Sequence, residues 1–462
     1  MEPPAHSEPR ATGGHLAVVG GGIAGLAAAW EASGLGWSVT VIDGADRTGG
    51  KLVTTDFLGR PVDEGADAFL RRVPDALRLC EELGITELRS PAAAAAMVWS
   101  DGRLHPFPAG SIMGVPVEPD ALDGCDLVSA EGRARWAAEP ELGGLPIDHD
   151  VAVGPFLRER LGTEIADRLV GPLLGGIAAG DPERMSLDAT VPQFAAAAHS
   201  SPSLLQALRD APRSDGPVFA APARGMQSLP DALTAELVRR GVTIRTGAPV
   251  VGLEPSWTVH LADGSSVEAD RVVVATPATA SARLLTGISP EVSTMLGSLD
   301  HASVVLVTLG YRRSDVDLDP ASSGFLVPRD AGLTIAAVSW GSSKWPHWSD
   351  GDHHVLRVSA GHRNDPGPVE LPDDELLGTF AADLHRTMGL DAEPVASRIT
   401  RYPGGFVQHD VGHLQRMDAL DRAVDALPGL ALCGGGLRGV GIPASIASGR
   451  RAAAAMCRSG SA

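Results

Sequence analysis

Cysteine is scarce. Cys80, Cys125, Cys433 and Cys457 are the only four in 462 residues. No two of them have the C-x-x-C spacing of a zinc site or a redox dithiol. Such sparse use fits a reducing compartment, so the expected location is the cytoplasm. Cationic side chains are also in short supply, with 38 Lys and Arg against 57 Asp and Glu and a formal net charge of −19. A surface this acidic repels phosphate backbones and excludes a nucleic-acid binder. An anionic substrate would need a local basic pocket. No apolar run nears the roughly 18 uninterrupted residues of a membrane span. No basic amphipathic stretch stands out either, so membrane contact is expected to be weakly peripheral at most. Residues 1–14 lack the basic start and apolar core of a signal peptide and read as a disordered tail. Cys457 is followed by five residues, which is no prenylation box.

What remains is an ordinary globular composition, 44% hydrophobic and 21% charged, with length for about three domain-sized masses of roughly 150 residues each. The first ordered element is easy to place. Residues 15–19 form a short buried strand, 26–33 a helix and 38–42 a second strand ending in Asp43. Between strand and helix lies Gly20-x-Gly22-x-x-Gly25. The first glycine permits the tight turn, the second lets a pyrophosphate approach the backbone, and the third lets helix and strand pack closely. Asp43 falls 23 residues after Gly20, close to the ~20 expected of a carboxylate that accepts from a ribose hydroxyl. A purely structural glycine turn would not need the helix, second strand and terminal acid in this register.

Further along, residues 76–83 are helical, and the Ala-rich run 91–99 reads as a packed segment rather than a span. Residues 118–215 carry helical periodicity broken by Pro and Gly. Strands are expected at 243–251, 257–261, 271–275, 304–310, 333–338, 355–360 and 430–433, with a hairpin turn at Asp263-Gly264. A final helix covers 444–457, with Pro443 suited to its first turn. Before it runs a glycine-rich string from Gly434 to Gly441, which an ordinary capped helix would not require. Its N-terminal dipole would stabilise negative charge placed against Gly441 and Ile442. The pair Gly49-Gly50, beside Lys51, and the segment 63–69 supply two further loops; each taken alone could be a plain turn or a solvated acidic patch.

Together these loops resemble the two-dinucleotide-binding-region flavoproteins. The segments 102–116, 153–162, 167–176, 179–187, 224–233 and 439–443 narrow the resemblance to the FAD-dependent porphyrinogen oxidases, over nearly the whole chain. The likeness is greatest to the soluble branch of high-GC Gram-positive bacteria, associated with conversion of coproporphyrinogen III to coproporphyrin III. The fold it implies is α/β: a Rossmann-type FAD-binding domain from 15–75, 218–283 and 427–462, a mixed-sheet substrate domain from 76–117 and 284–426, and a helical insertion at 118–217. FAD contacts carried over from the family fall on Gly20, Gly21, Gly22, Ile23, Ala24, Gly25 and Leu26, on Asp43 and Gly44, and on Gly50 and Lys51. They continue on Gly65, Ala66, Asp67 and Ala68, on Val250 and Tyr402, and on Gly435, Val440, Gly441 and Ile442. Departures from the family pattern include Asp43 for a Glu, Ala178 for an aromatic, Leu437 for a Tyr, Tyr402 for a Trp, and Gly405 to His409 for a Leu-Pro-Gln-Tyr stretch.

The reaction so implied removes six electrons in three two-electron steps, with the flavin accepting hydride at N5 and molecular oxygen re-oxidising it. No catalytic acid–base residue and no metal are expected. Met113, Leu173, Ile177, Leu326 and Val327 are candidate apolar walls, although each taken singly reads more readily as plain core. Four propionates call for cations at the cleft mouth, with Arg168, Arg184, Arg401, Arg438 and Lys344 as candidates, although most arginines are solvated surface groups. His409 and His413 would ligate a metal only if helical, which Gly404, Gly405 and Gly412 oppose. The adjacent His353 and His354 read as surface. A ferrochelatase is a candidate partner to receive the product. The alternatives are a protoporphyrinogen IX oxidase, an amine oxidase on the same fold, and a non-catalytic FAD- or porphyrin-binding relative.

Overall fold

A computed structural model describes residues 13–93, 95–143, 145–212 and 216–458; most of the expected tail, residues 1–12, lies outside them. The alternation in His15–Val19 sets the first layer. Leu16 and Val18 join one buried cluster with Leu26, Ala27 and Trp30 of the first helix. Ala17 and Val19 point the other way, against Val272, Val274, Val259 and Leu285. A strand buried on both faces belongs inside a parallel sheet. His15–Val19 is accordingly the central strand of a five-stranded parallel sheet, in the order Thr243–Arg245, Ser38–Ile42, His15–Val19, Arg271–Val274, Leu430–Leu432. Three distant stretches of chain therefore build one sheet.

The first helix, Ile23–Gly34, and the last, Ile442–Arg458, pack directly on each other. Gly449 makes this possible, because a β-carbon there would collide with the Ala24 carbonyl oxygen and stand 3.0 Å from Ala28 N. Farther along the pair, the Arg458 guanidinium is 3.9 Å from the Glu31 carboxylate. The two helices thus run the same way, and both amino termini lie at the carboxyl end of the sheet, where open α/β sheets bind ligands.

A second, seven-stranded sheet runs Ala396–Val407, His301–Arg312, His353–Ala360, Ile335–Trp340, Ser322–Leu326, Ala95–Ser100, Arg103–Pro106. Only the pair Ser322–Leu326 with Ala95–Ser100 is parallel. Leu376, Phe380 and Leu384 of the helix Asp373–Met388 cover one face. Helices between Ala130 and Asp210 bury Trp136, Phe156, Leu169, Phe194 and Leu205 in a core of their own.

Several expectations change in detail. The strand read over 243–251 is two pieces, Thr243–Arg245 and Val250–Leu253, in different sheets. Gly247 takes φ +60° between them, a turn an extended strand cannot contain. Within the Ala-rich run 91–99, the part from Ala95 onward is a strand of the mixed sheet. His354 is not a surface residue; it is 7% exposed, its Nδ1 3.3 Å from the Ser342 hydroxyl. Strand alternation sends it inward while His353 pairs with Asp350 outside.

Candidate active site

The site starts with the glycine loop after the first strand. Gly20 takes φ +108°, and a β-carbon on Gly25 would overlap the Gly20 carbonyl. Gly22 caps the helix without any side-chain hydrogen bond, and nothing lies within 4 Å of where its β-carbon would be. The first helix thus begins at an open glycine turn, the arrangement whose amino-terminal N–H groups receive a pyrophosphate. Leu26 closes the first turn through its N–H to the Gly22 carbonyl, 2.9 Å. Asp43 accepts from Gly21 N at 2.5 Å and from Ala45 N at 2.8 Å, so the acid and the loop are one unit. Gly44 lies against Pro249, 3.4 Å from Pro249 Cα to its absent β-carbon, which brings the neighbouring Val250 to the same flank.

The second loop folds onto the first. Gly49 N donates to Gly21 O at 2.8 Å, and a β-carbon on Gly50 (φ +59°) would be 3.2 Å from Gly22 Cα. Arg47 clamps this loop by donating to the carbonyls of Thr48 (2.9 Å), Gly50 (2.7 Å) and Leu52 (3.3 Å). Lys51 turns its ammonium to the Gly405 carbonyl, 6.0 Å from the Phe406 ring centroid, and burial lowers its pKa.

The third loop, Gly65 to Ala68, rests on buried cations. Arg357 donates to Gly65 O at 2.8 Å and to Asp63 O at 2.5 Å. Asp67 accepts from Lys344 Nζ and Trp345 Nε1, both at 2.9 Å. Burial opposes its ionisation, but Lys344 and Arg357 outweigh that and hold the carboxyl well below the usual range. Lys344 is thereby committed to Asp67. A β-carbon on Gly65 would stand 2.6 Å from the Tyr402 hydroxyl. That hydroxyl is buried and has no hydrogen-bond partner among the described residues.

The carboxyl-terminal loop completes the set. Gly434, Gly436 and Gly441 take φ +150°, +92° and +89°. Gly435 has Ser445 Oγ 2.8 Å from its absent β-carbon. Val440 is half exposed and Ile442 is buried at the start of the last helix. An FAD fits these residues: an open glycine turn for the pyrophosphate, a carboxylate beside it, and an orphaned phenol next to a glycine.

The four candidate propionate arginines each have a partner of their own. Arg168 donates to Leu127 O at 3.1 Å. Arg184 pairs with Asp410 at 2.8 Å, Arg401 with Asp373 at 2.7 Å, and Arg438 with Asp418 and Asp421 at 2.6 Å. With acids outnumbering bases, an exposed guanidinium readily finds a carboxylate nearby. The helix Gly171–Ala178 lies on the mixed sheet, with Leu326 Cδ2 3.3 Å from the absent β-carbon of Gly176. Ile177 on that helix is 49% exposed, whereas Val327 is core. A separate cleft of about 560 Å³ lies between residues 105–110 and 118–126. Asp120, Asp123 and Asp126 line it, so it repels a polycarboxylate. Sequence reasoning missed Arg357 and Arg398. Arg398 donates to the Thr55 hydroxyl at 2.6 Å and to Val62 O at 3.2 Å. No local motif announces an arginine that acts across more than 290 residues.

Residues 23–457 match the family of flavin containing amine oxidoreductases. The coproporphyrinogen III oxidase of Mycobacterium leprae is 35% identical over 95% of this chain and 97% of its own. The coproporphyrinogen III oxidase of Bacillus subtilis is 31% identical, again over 95% and 97%. A crystal structure from Exiguobacterium, designated a candidate protoporphyrinogen oxidase, superposes with a TM-score of 0.86 at 30% identity, over 96% of this chain and 98% of that one. The cofactor of this family is FAD. Built on a parallel dinucleotide sheet with its two terminal helices side by side, the chain belongs to the flavin-containing amine oxidoreductases and, among them, to the family of the coproporphyrinogen III oxidases.

Proposed function

We propose that this protein oxidises coproporphyrinogen III to coproporphyrin III, with molecular oxygen as final acceptor and three hydrogen peroxide released per porphyrin. The observation that carries the reading is the convergence of four glycine-bearing loops from 20–25, 49–50, 65–68 and 434–441 at one end of the parallel sheet, beside a mixed sheet whose Arg357 and Tyr402 meet the third loop. FAD, when bound, accepts a hydride from the macrocycle and passes the electrons to oxygen.

The protein's own residues bind and orient. The open turn at Gly22 and the first-helix N–H groups would hold the pyrophosphate, and Asp43 would take the ribose. Arg357, Lys344 and Asp67 brace the third loop, which would lie beside the flavin. The Tyr402 hydroxyl, with no partner among the described residues, would donate to the bound cofactor. The amino terminus of the last helix would stabilise negative charge on a flavin placed against it by about 0.3–1 kcal/mol, rising to ~2 if partly buried. The mixed sheet and the helix Gly171–Ala178 would help keep water from a bound substrate. Protons on the macrocycle nitrogens leave through water, so no side-chain base is assigned.

A second reading, oxidation of protoporphyrinogen IX, is favoured by the designation of the Exiguobacterium structure. Purified holoenzyme given each porphyrinogen under air separates the two. Porphyrin fluorescence should rise faster from the tetracarboxylate; a clear preference for the dicarboxylate overturns the first reading. FAD retention without any fluorescence would leave a non-catalytic binder.

A further inference from the structure

The segment from Gln408 to His413 does more than connect a strand to a helix. The Gln408 side chain donates to Ala178 O at 3.2 Å, and His409 O accepts from Ser186 N at 2.7 Å. Asp410 pairs with Arg184 and with the buried Arg363. Gly412 N donates to Asp150 at 2.8 Å. These bonds tie the segment to the helical insertion and to the mixed sheet. Two side chains point the third way. His409 Nε2 is 2.8 Å from Gly436 O, and His413 Nε2 is 2.5 Å from Leu437 O.

The two imidazoles stack, with centroids 4.0 Å apart and planes inclined by 22°. Their exposures are 6% and 0%. Two cationic rings at that separation, out of water, would repel strongly. Burial and the mutual repulsion favour the neutral forms. A neutral ring has one N–H; in His413 the Leu437 carbonyl places it at Nε2, whereas the His409 ring meets the backbone of both Gly436 and Ala189. His413 Nδ1 is correspondingly buried and unpartnered, as a lone-pair nitrogen can be. The pair that spacing alone offered as metal ligands is therefore a pair of donors to consecutive carbonyls.

Those carbonyls belong to a glycine-rich turn whose flanks are tied by Gly434 N to Ser448 Oγ at 3.2 Å and by Arg438 to Asp418 and Asp421, but whose backbone between them has few bonds of its own. Gly434, Gly436 and Gly441 have positive φ, and one internal bond, Gly436 N to Gly439 O at 2.8 Å, closes it. Glycine leaves such a backbone free to rearrange unless something outside pins it. We propose that His409 and His413 are positioning residues of the oxidation: as a stacked neutral pair they pin the Gly436 and Leu437 carbonyls, and so aim the 434–441 turn and the amino terminus of the last helix at the flavin. The inference rests on the reading above that FAD lies against this turn. It also gives a physical link from the helical insertion, through 408–413, to the cofactor edge.

The test compares His413→Phe, which keeps ring and volume but loses the donor, with His413→Gln, which keeps a donor. Each holoenzyme is examined for FAD dissociation constant, visible flavin bands, flavin reduction potential, and kcat and KM. H413F should weaken FAD binding about three- to ten-fold, the scale of one hydrogen bond. It should also shift the bands, make the potential more negative, and lower kcat at unchanged porphyrinogen KM, while H413Q recovers most of each. If H413F does not fold, His409→Met against His409→Gln decides the same question. If wild type retains FAD and the donor-less variants match it in affinity, bands and potential, the inference is wrong. If wild type itself takes up no FAD, the flavin-site reading fails instead.

Discussion

Replacing Gly449 by alanine probes the contact that brings the chain's two ends together. Its β-carbon would collide with the Ala24 carbonyl oxygen and stand 2.9 Å from Ala24 C and 3.0 Å from Ala28 N. Non-bonded heavy atoms settle at about 3.5–4.0 Å, and all three obstacles are helix backbone that cannot rotate away. The helices must separate by on the order of 1 Å, and overpacking of this kind costs about 1–3 kcal/mol. Alanine in a helix recovers up to about 1 kcal/mol over glycine. Taking the upper end for a backbone collision, the net loss is about 2 kcal/mol. Gly378 is the control. It sits on the exposed side of the helix Asp373–Met388 with nothing within 4 Å of its absent β-carbon. Gly378→Ala should therefore stabilise by about 0.5–1 kcal/mol from propensity alone. Denaturant unfolding of both variants and the parent measures the two shifts, and FAD titration should show weaker binding in G449A only. The reasoning is refuted if G449A and G378A move stability in the same direction.

Three further outcomes follow from the same structure. Tyr402→Phe removes a buried hydroxyl that has no partner among the described residues; the FAD-free protein should gain about 1 kcal/mol in unfolding while FAD affinity drops several-fold, and unchanged affinity would remove Tyr402 from the flavin site. Asp67→Asn leaves Lys344 facing an uncharged amide in a largely buried place and should cost about 3–5 kcal/mol, which Lys344→Met added to it should partly restore; a single variant as stable as wild type would show the pair to be idle. Burial pushes His413 and His347 down to about 4, and lowers His354, His362 and His409 as well. Unfolded histidines titrate near 6.5, so between about pH 6.5 and 4 the unfolded chain binds more protons. Stability should be full above that window and fall as pH drops through it, and a melting temperature flat from pH 7 to 4 would contradict this.

The legibility of the site followed its locality. Strand, glycine turn, helix, second strand and Asp43 lie within 30 residues, and their residue types admit few other structures, so the first loop was readable without coordinates. The glycine string before the last helix was readable for the same reason. The expectation that Arg168, Arg184, Arg401 and Arg438 meet propionates rests on charge alone. Arg184 finds Asp410 and Arg401 finds Asp373, and neither partner is implied by the neighbouring sequence. Tyr402 was named from the family, but its bare hydroxyl beside Gly65 is a fact of packing between residues far apart in the chain. Helical periodicity over 118–215 is visible in the sequence, and helices run from Ala130 to Asp210, but their placement on the mixed sheet is not visible there. A few hydrogen bonds and ion pairs set them there, such as Arg329 to the Gly180 carbonyl and Asn364 to Asp181.

By itself the sequence determined the parallel dinucleotide unit, the cofactor class and the direction of the chain's chemistry, because period-two burial, glycine stereochemistry and helix-end electrostatics act over a few residues. Only the tertiary structure decided which cations are already neutralised, which hydroxyl is left without a partner among the described residues, and that His409 and His413 stack against each other beside two consecutive carbonyls. Those outcomes depend on which side chains meet across hundreds of residues, and a buried polar group's meaning is set by the partner it meets.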